Sequence, residues 1–355
     1  MIQKYKRIIL LFFILFISVS YSYPPPIQSK KSIEITKNIT KEYIIKNHMK
    51  YSNHQKYHNI TYIGHITRYH ERSNITIPLF NHIFTALAFD HIRIRSSNGK
   101  YTVIDENPFK NITLSCKRLI VLKASDQSIT FTNTLLTKLK PLLTQYDGVL
   151  MDTSMSSELS LELSKAIHDM MNTNYEIQDD SHTITLQQSN QFLIYVIKPL
   201  HSQLTEYIPY VTGIILDTQY YDPTAVTYQP LQPSPWIDEQ MRNHFPKNTF
   251  NPQQAGFILN FEGRTYCKYS TNTISNLAFL RFIKKMNVTI TYHSASHEHS
   301  FEAIYKSEKY ADDYCKNNYP TPFSLSEKLK IAEKYSYTVL IHAFGGGLDY
   351  FFDIL

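Results

Sequence analysis

From Asn59 onward, short apolar runs alternate with longer stretches of helical periodicity. The runs are Thr61–Ile66, Ile83–Phe89, Leu119–Ala124, Gly148–Asp152, Phe192–Ile197, Gly213–Leu216, Gly256–Phe261 and Thr338–Ala343. Each has four to seven residues, mostly Val, Ile, Leu and Phe, with little strict alternation. That is how parallel strands buried on both faces read. Between them, Leu135, Leu136, Leu139, Leu142 and Leu143 mark a helix within Thr132–Tyr146. Leu159, Leu161, Leu163, Ile167 and Met170 do so within Ser157–Met171, and Leu325, Leu329, Ile331 and Ala332 within Leu325–Tyr335. Eight strands with helical connections predict a (β/α)8 TIM barrel over residues 59–355. An open doubly wound sheet fits less well, because no glycine-rich phosphate turn follows a strand.

The first 22 residues read differently. Lys4, Lys6 and Arg7 precede an unbroken apolar run, Ile8–Ile17, and small residues follow at Ser18, Ser20 and Ser22. This is the layout of a cleavable secretory signal, and the run is too short to span a bilayer. It predicts a secreted protein, or one in the lumen of the secretory or endolysosomal pathway. No later segment is apolar enough to cross a membrane. Residues 23–58, rich in Lys, His and Asn, read as a polar, poorly ordered leader.

The formal charge of +6 includes three cations of the signal. The remainder forms no concentrated basic face, so nucleic acid is not an expected partner. Three cysteines exclude a disulfide scaffold. In an oxidising compartment Cys267 and Cys315 could pair, leaving Cys116 free. Sequons at Asn38, Asn59, Asn74, Asn111 and Asn287 would permit a glycoprotein.

In a barrel of this kind chemistry sits at the C-terminal ends of the strands. The fourth strand reads Tyr146-Asp147-Gly148-Val149-Leu150-Met151-Asp152-Thr153-Ser154. It resembles Asp-Gly-x-Asp-x-Asp-x-Glu, the signature of family 18 glycoside hydrolases, the chitinases. Alternate residues of a strand share a face, so the last three acidic positions of that signature project into one cleft. In that family the Glu protonates the leaving oxygen, and the Asp before it orients the substrate's N-acetyl group. Asp147, Gly148 and Asp152 match the signature; Leu150 replaces its first inner Asp and Ser154 its catalytic Glu. A hydroxyl cannot act as a general acid near neutral pH. No catalytic residue is therefore expected, unless some pair among Asp152, Asp217, Asp222 and Glu262 has taken over the role.

Further segments carry the resemblance. Gln219-Tyr220-Tyr221-Asp222 is similar to the family's sixth-strand Met-x-Tyr-Asp, and Gly256–Gly263 resembles its seventh strand. Gly345-Gly346-Gly347-Leu348-Asp349-Tyr350-Phe351-Phe352-Asp353-Ile354-Leu355 resembles the closing segment of one branch, the chitinase-domain-containing or stabilin-interacting chitinase-like proteins. Pro233–Trp236 and His293–Glu298 resemble that branch as well. The resemblance implies a lectin-like protein without cofactor that binds chitin-type oligosaccharides or other glycans through Asp152, Tyr221, Asp222, Glu262, His342 and Tyr69. The strand-eight Trp of the family falls on His342, its first-strand Trp near Ile66, and its Gly-Gly after strand three on Ala124-Ser125. Fewer aromatic faces are left to stack on sugars, which keeps open a second reading, a scaffold or coat component with an extracellular protein partner. His293, His297, His299 and Glu298 include zinc-ligand types. No fixed zinc spacing joins them, and the segment resembles a metal-free stretch of the family, so no metal is expected.

Overall fold

The structure, a computed structural model, describes residues 26–52, 60–67, 72–97, 100–106, 109, 112–125, 129–172, 175–179, 182–186, 191–268, 270–305 and 313–355. The proposed signal lies outside these residues.

Eight strands form the centre: β1 (Thr61–Ile66), β2 (Ala86–Ser97), β3 (Lys117–Ala124), β4 (Gly148–Met151), β5 (Leu193–Lys198), β6 (Gly213–Leu216), β7 (Ala255–Asn260) and β8 (Thr338–His342). Each pairs in parallel with the next, and Thr338 of β8 opposite Thr61 of β1 closes the ring. This is a (β/α)8 TIM barrel. Ile63, Ala88, Val121, Leu150, Tyr195, Ile215, Ile258 and Leu340, one from each strand, lie in the buried cluster that fills the interior. Their neighbours in sequence face outward onto the helices, the consequence of a two-residue repeat.

Among the described residues the α-helices are α1 (Lys41–Asn47), α2 (Ser73–Phe80), α3 (Asn133–Leu143), α4 (Ser157–Asn172), α5 (Ser234–His244), α6 (Asn276–Lys285) and α7 (Pro322–Tyr335). Several of their starts are capped by side chains. Thr132 accepts a hydrogen bond from Leu135 N–H ahead of α3, Ser156 Oγ accepts one from Leu159 N–H ahead of α4, and Thr321 and Ser324 form a capping box on α7. The second strand begins at Ala86 rather than at Ile83, because Asn81–Ile83 is a 3-10 turn. It then continues to Ser97 and pairs with Lys100–Asp105 as a hairpin. Between β5 and β6 there is only a 3-10 turn, Thr205–Tyr207.

Two features depart from the sequence expectations. The leader expected to be poorly ordered is packed over residues 26–52. Ile27–Gln28 pairs with Lys50–Tyr51, and Ile39 and Ile44 are buried. Its backbone is tied to the C-terminal tail, for Ile33 and Ser52 donate N–H bonds to the Asp353 carboxylate. Isoleucines dispersed among polar residues carry that packing, and average composition hides them.

The second departure is an insertion between β7 and β8. Five antiparallel strands stand in the order Ser270–Ile274, Gly263–Cys267, Asp313–Asn318, Glu298–Tyr305 and Thr289–His293. Cys267 and Cys315 lie opposite each other in register and are joined by a disulfide. Cys116 remains a thiol, its pKa pushed up to about 11 by burial.

Candidate functional site

The C-terminal ends of the strands converge on a charged mouth. From β1, His65 places Nε2 3.9 Å from Asp90 Oδ2, and Asp90 lies within the register shift of β2. Lys123, near the end of β3, reaches the same oxygen at 2.6 Å and Asp152 Oδ2 at 3.6 Å. Asp152 follows β4 directly, and its Oδ1 accepts the Ser154 N–H at 2.9 Å. Ser154 Oγ in turn accepts the Ala124 N–H at 3.2 Å, fastening the fourth loop to the end of β3.

On the opposite side, His342 ends β8. Its ring meets that of His65 edge-on at 5.3 Å between centroids, and Gln219 Nε2 lies 3.1 Å from its Nδ1. Asp217, one residue beyond β6, accepts the Gln219 N–H at 3.2 Å. Burial, with a smaller contribution from the charge of Asp152, holds the Asp217 carboxyl above its ordinary range. Glu262 follows β7, its N–H bonded to Asn260 Oδ1 at 3.1 Å. Burial pushes its carboxyl up to about 7. It packs against Gly346, where a side chain is excluded because a Cβ would lie 2.7 Å from Glu262 Cγ.

No family model matches the sequence. Solved structures do match the fold. The spore cortex-lytic enzyme SleL of Bacillus cereus is 12% identical, with 84% of this chain and 74% of that one covered and a TM-score of 0.63. A chitinase from Chromobacterium violaceum is 10% identical over 82% of this chain and 96% of its own, with a TM-score of 0.61. A family GH18 chitinase from Cycas revoluta, solved as a complex with allosamidin, is 11% identical over 82% and 97%, with a TM-score of 0.61. The chain has the fold of a family 18 chitinase. At such identities the likeness is one of fold.

Within this chitinase fold, the fourth-strand motif divides into two parts. Asp147 and Gly148 lie at the opposite end of the barrel from the mouth. Asp147 Oδ2 accepts the Arg118 N–H at 2.7 Å, and a Cβ at Gly148 would stand 2.3 Å from the Leu193 carbonyl oxygen. Both serve strand packing. Leu150 belongs to the apolar interior, and only Asp152 and Ser154 reach the mouth.

Tyr221 and Asp222 sit on the rim, because β6 ends at Leu216 and the chain has turned outward before it reaches them. Tyr221 is 45% exposed and meets Trp236 of α5 edge-on at 5.4 Å. Asp222 accepts bonds from Thr224 N–H and Oγ1–H at 2.9 and 2.8 Å, which hold its pKa below the ordinary value. Both are thus on the rim, and the structure instead brings Asp152 to Lys123 and His342 to His65 and Gln219. Tyr69 lies outside the described residues.

The residues that sequence reasoning passed over are His65, Asp90, Lys123 and Gln219. A usable signal was present: Lys123 and Asp90 are ionisable residues terminating otherwise apolar runs, a costly placement unless they meet each other. The histidines of the insertion diverge. His293 bonds Ser300, His297 bonds Ser234, and His299 lies between Thr321 and the Lys37 carbonyl. Glu298 pairs with Lys328 at 2.8 Å in a buried bridge. Among the described residues no three such groups are placed to hold a metal ion, and no helix is long and apolar enough to cross a membrane.

Proposed function

We propose that this is a secreted or lumenal chitinase-like protein, catalytically silent, that binds N-acetylglucosamine-type glycans weakly at the barrel mouth. The observation that carries the reading is the pair at the end of β4. Asp152 stands where the family orients the N-acetyl group, while the acid's position holds Ser154, whose hydroxyl oxygen accepts the Ala124 amide and is no general acid near neutral pH. The Bacillus, Chromobacterium and Cycas proteins supply the fold analogy. His342 in place of a tryptophan removes an apolar floor, which keeps the affinity low.

A glycosidase with relocated carboxylates is the second reading, favoured by Glu262, whose pKa of about 7 would suit a proton donor. Retention of the purified protein on chitin beads beside a cellulose control tests the first reading. Release of chromophore from a chitooligosaccharide substrate, abolished in Glu262→Gln, would establish the second. A protein that is retained on neither matrix and turns nothing over is a scaffold.

A further inference from the structure

A cavity of about 390 Å³ opens at the end of the barrel opposite the mouth. Its walls come from Ala255 at the start of β7, from the loop joining α5 to β7, and from the last turn of α7 with its link to β8. That volume suits a small organic molecule. The walls are largely aromatic. Phe245 and Phe250 meet edge-on at 5.0 Å between centroids, and Tyr335 and Tyr337 stack at 5.1 Å. Lys247 and Lys334, both exposed, also line the cavity, and no carboxylate does. Lys334 Nζ stands 4.7 Å from the Tyr335 ring, in a last helical turn where the dipole favours a cation. Lys247 has no such reason to be there. It lies in the loop past the end of α5 and forms no ion pair among the described residues. Asp238 of α5, an acid whose charge reaches Lys334 and Tyr337, is held by Arg242 at 3.1 Å.

The second observation is Tyr337. Only 5% of it is exposed, it lines the cavity, and its hydroxyl makes no hydrogen bond among the described residues. Burial pushes the phenol up to about 12, so at neutral pH it carries its proton and can donate. A buried hydroxyl without a partner is costly, and an acceptor lodged in the cavity would recover that loss.

We propose that this cavity binds an aromatic acid, a flat apolar ring system carrying one carboxylate or sulfonate. The rings lie against the aromatic walls, the anion faces Lys247 and Lys334, and the Tyr337 hydroxyl donates to the ligand. Each part of the ligand answers to one part of the site. Phe and Tyr rings cover a flat apolar body over a large area. Two ammonium groups with no carboxylate beside them in the wall favour an anion over a neutral molecule of the same shape. The site is separate from the barrel mouth and does not depend on what the mouth binds.

Fluorescence titration of the full chain, at neutral pH and low salt, tests this. The probes are anilinonaphthalene sulfonate and its uncharged counterpart, phenylnaphthylamine. The anion is expected to bind about tenfold more tightly, the scale of one partly screened charge contact. Replacing both lysines, Lys247→Gln with Lys334→Gln, should abolish that preference. Tyr337→Phe should weaken the anionic probe about fivefold, the scale of one hydrogen bond. Lys284→Gln at an exposed position of α6 should leave both probes unchanged. Thermal melts establish that the variants are folded. Equal or tighter binding of the uncharged probe overturns the inference, as does a preference that survives loss of both lysines. Anion binding indifferent to Tyr337→Phe also overturns it. Excess chitotetraose should leave the probe in place, and displacement would put the probe at the mouth and refute the site. If neither probe binds, this inference falls and the reading of the mouth is untouched.

Discussion

Replacing Glu262 by glutamine removes a titration that the fold has displaced upward. Burial holds the native carboxyl at about 7, whereas an unfolded chain releases the same proton near 4.3. Between those values the folded protein keeps a proton that the unfolded chain has lost. Stability falls with rising pH wherever the native state binds more protons. The loss begins near pH 4, is complete a little above pH 7, and amounts to about 4 kcal/mol at roughly 1.4 kcal/mol per pH unit. Glutamine imitates the protonated acid at every pH. The two should match only below pH 4; at pH 5 the variant should be more stable by about 1 kcal/mol, and at pH 8 by about 3–4 kcal/mol. Urea unfolding followed by fluorescence of the single tryptophan, Trp236, at several pH values from 5 to 8 measures the difference. Asp217, also held up by burial, contributes to the slope of both proteins and cancels. Parallel pH profiles for wild type and variant would refute the argument, since Glu262 would then titrate alike in both states.

Three further outcomes are expected. Lys328→Met should destabilise by about 3 kcal/mol in urea unfolding, because it strands Glu298 in a buried site with only the Leu231 and Gln232 amides as donors. Replacing Cys267 and Cys315 together by alanine should lower stability by about 4 kcal/mol, the chain-entropy value for a closed loop spanning a separation of 48; an unchanged denaturation midpoint would contradict it. Ser154→Glu should give no turnover of chromogenic chitotriose, since Leu150 fills the interior position beside it and the Ala124 amide loses its acceptor.

The barrel was legible because its strands are buried on both faces and so appear as bare apolar runs. The strand limits shifted where local geometry intervened: Ala343 has left-handed backbone at φ 57° and ends β8 one residue early. The insertion was not legible. A strand such as Ser270–Ile274 is largely exposed, and its sequence Ser-Thr-Asn-Thr-Ile shows no apolar run to find. The site fared similarly. Asp152 and His342 follow from counting along strands β4 and β8, whereas Asp90 and Lys123 meet only because β2 and β3 lie side by side in the barrel. Tyr221 and Asp222 were drawn toward the mouth by a motif frame that overlooks how early β6 stops.

The positions at which this chain keeps the chitinase pattern are those with a visible packing role. Gly148 admits the Leu193 carbonyl, Gly347 lies against Phe261 and Phe351, and Asp349 is fully buried in an ion pair with Arg72 at 2.8 Å. Any of these would be retained by a barrel with no chemistry to perform, so they speak for the fold alone. Asp152 is different. Only 17% of its side chain is exposed, and it faces a lysine that prefers another aspartate. Its bond to the Ser154 amide is one that an asparagine could also make, and a neutral residue would ease the repulsion with Asp217. What a carboxylate does provide at such a mouth is an acceptor for a donor arriving from outside. That is the physical case for reading the mouth as a binding site, independent of the motif that first drew attention to it.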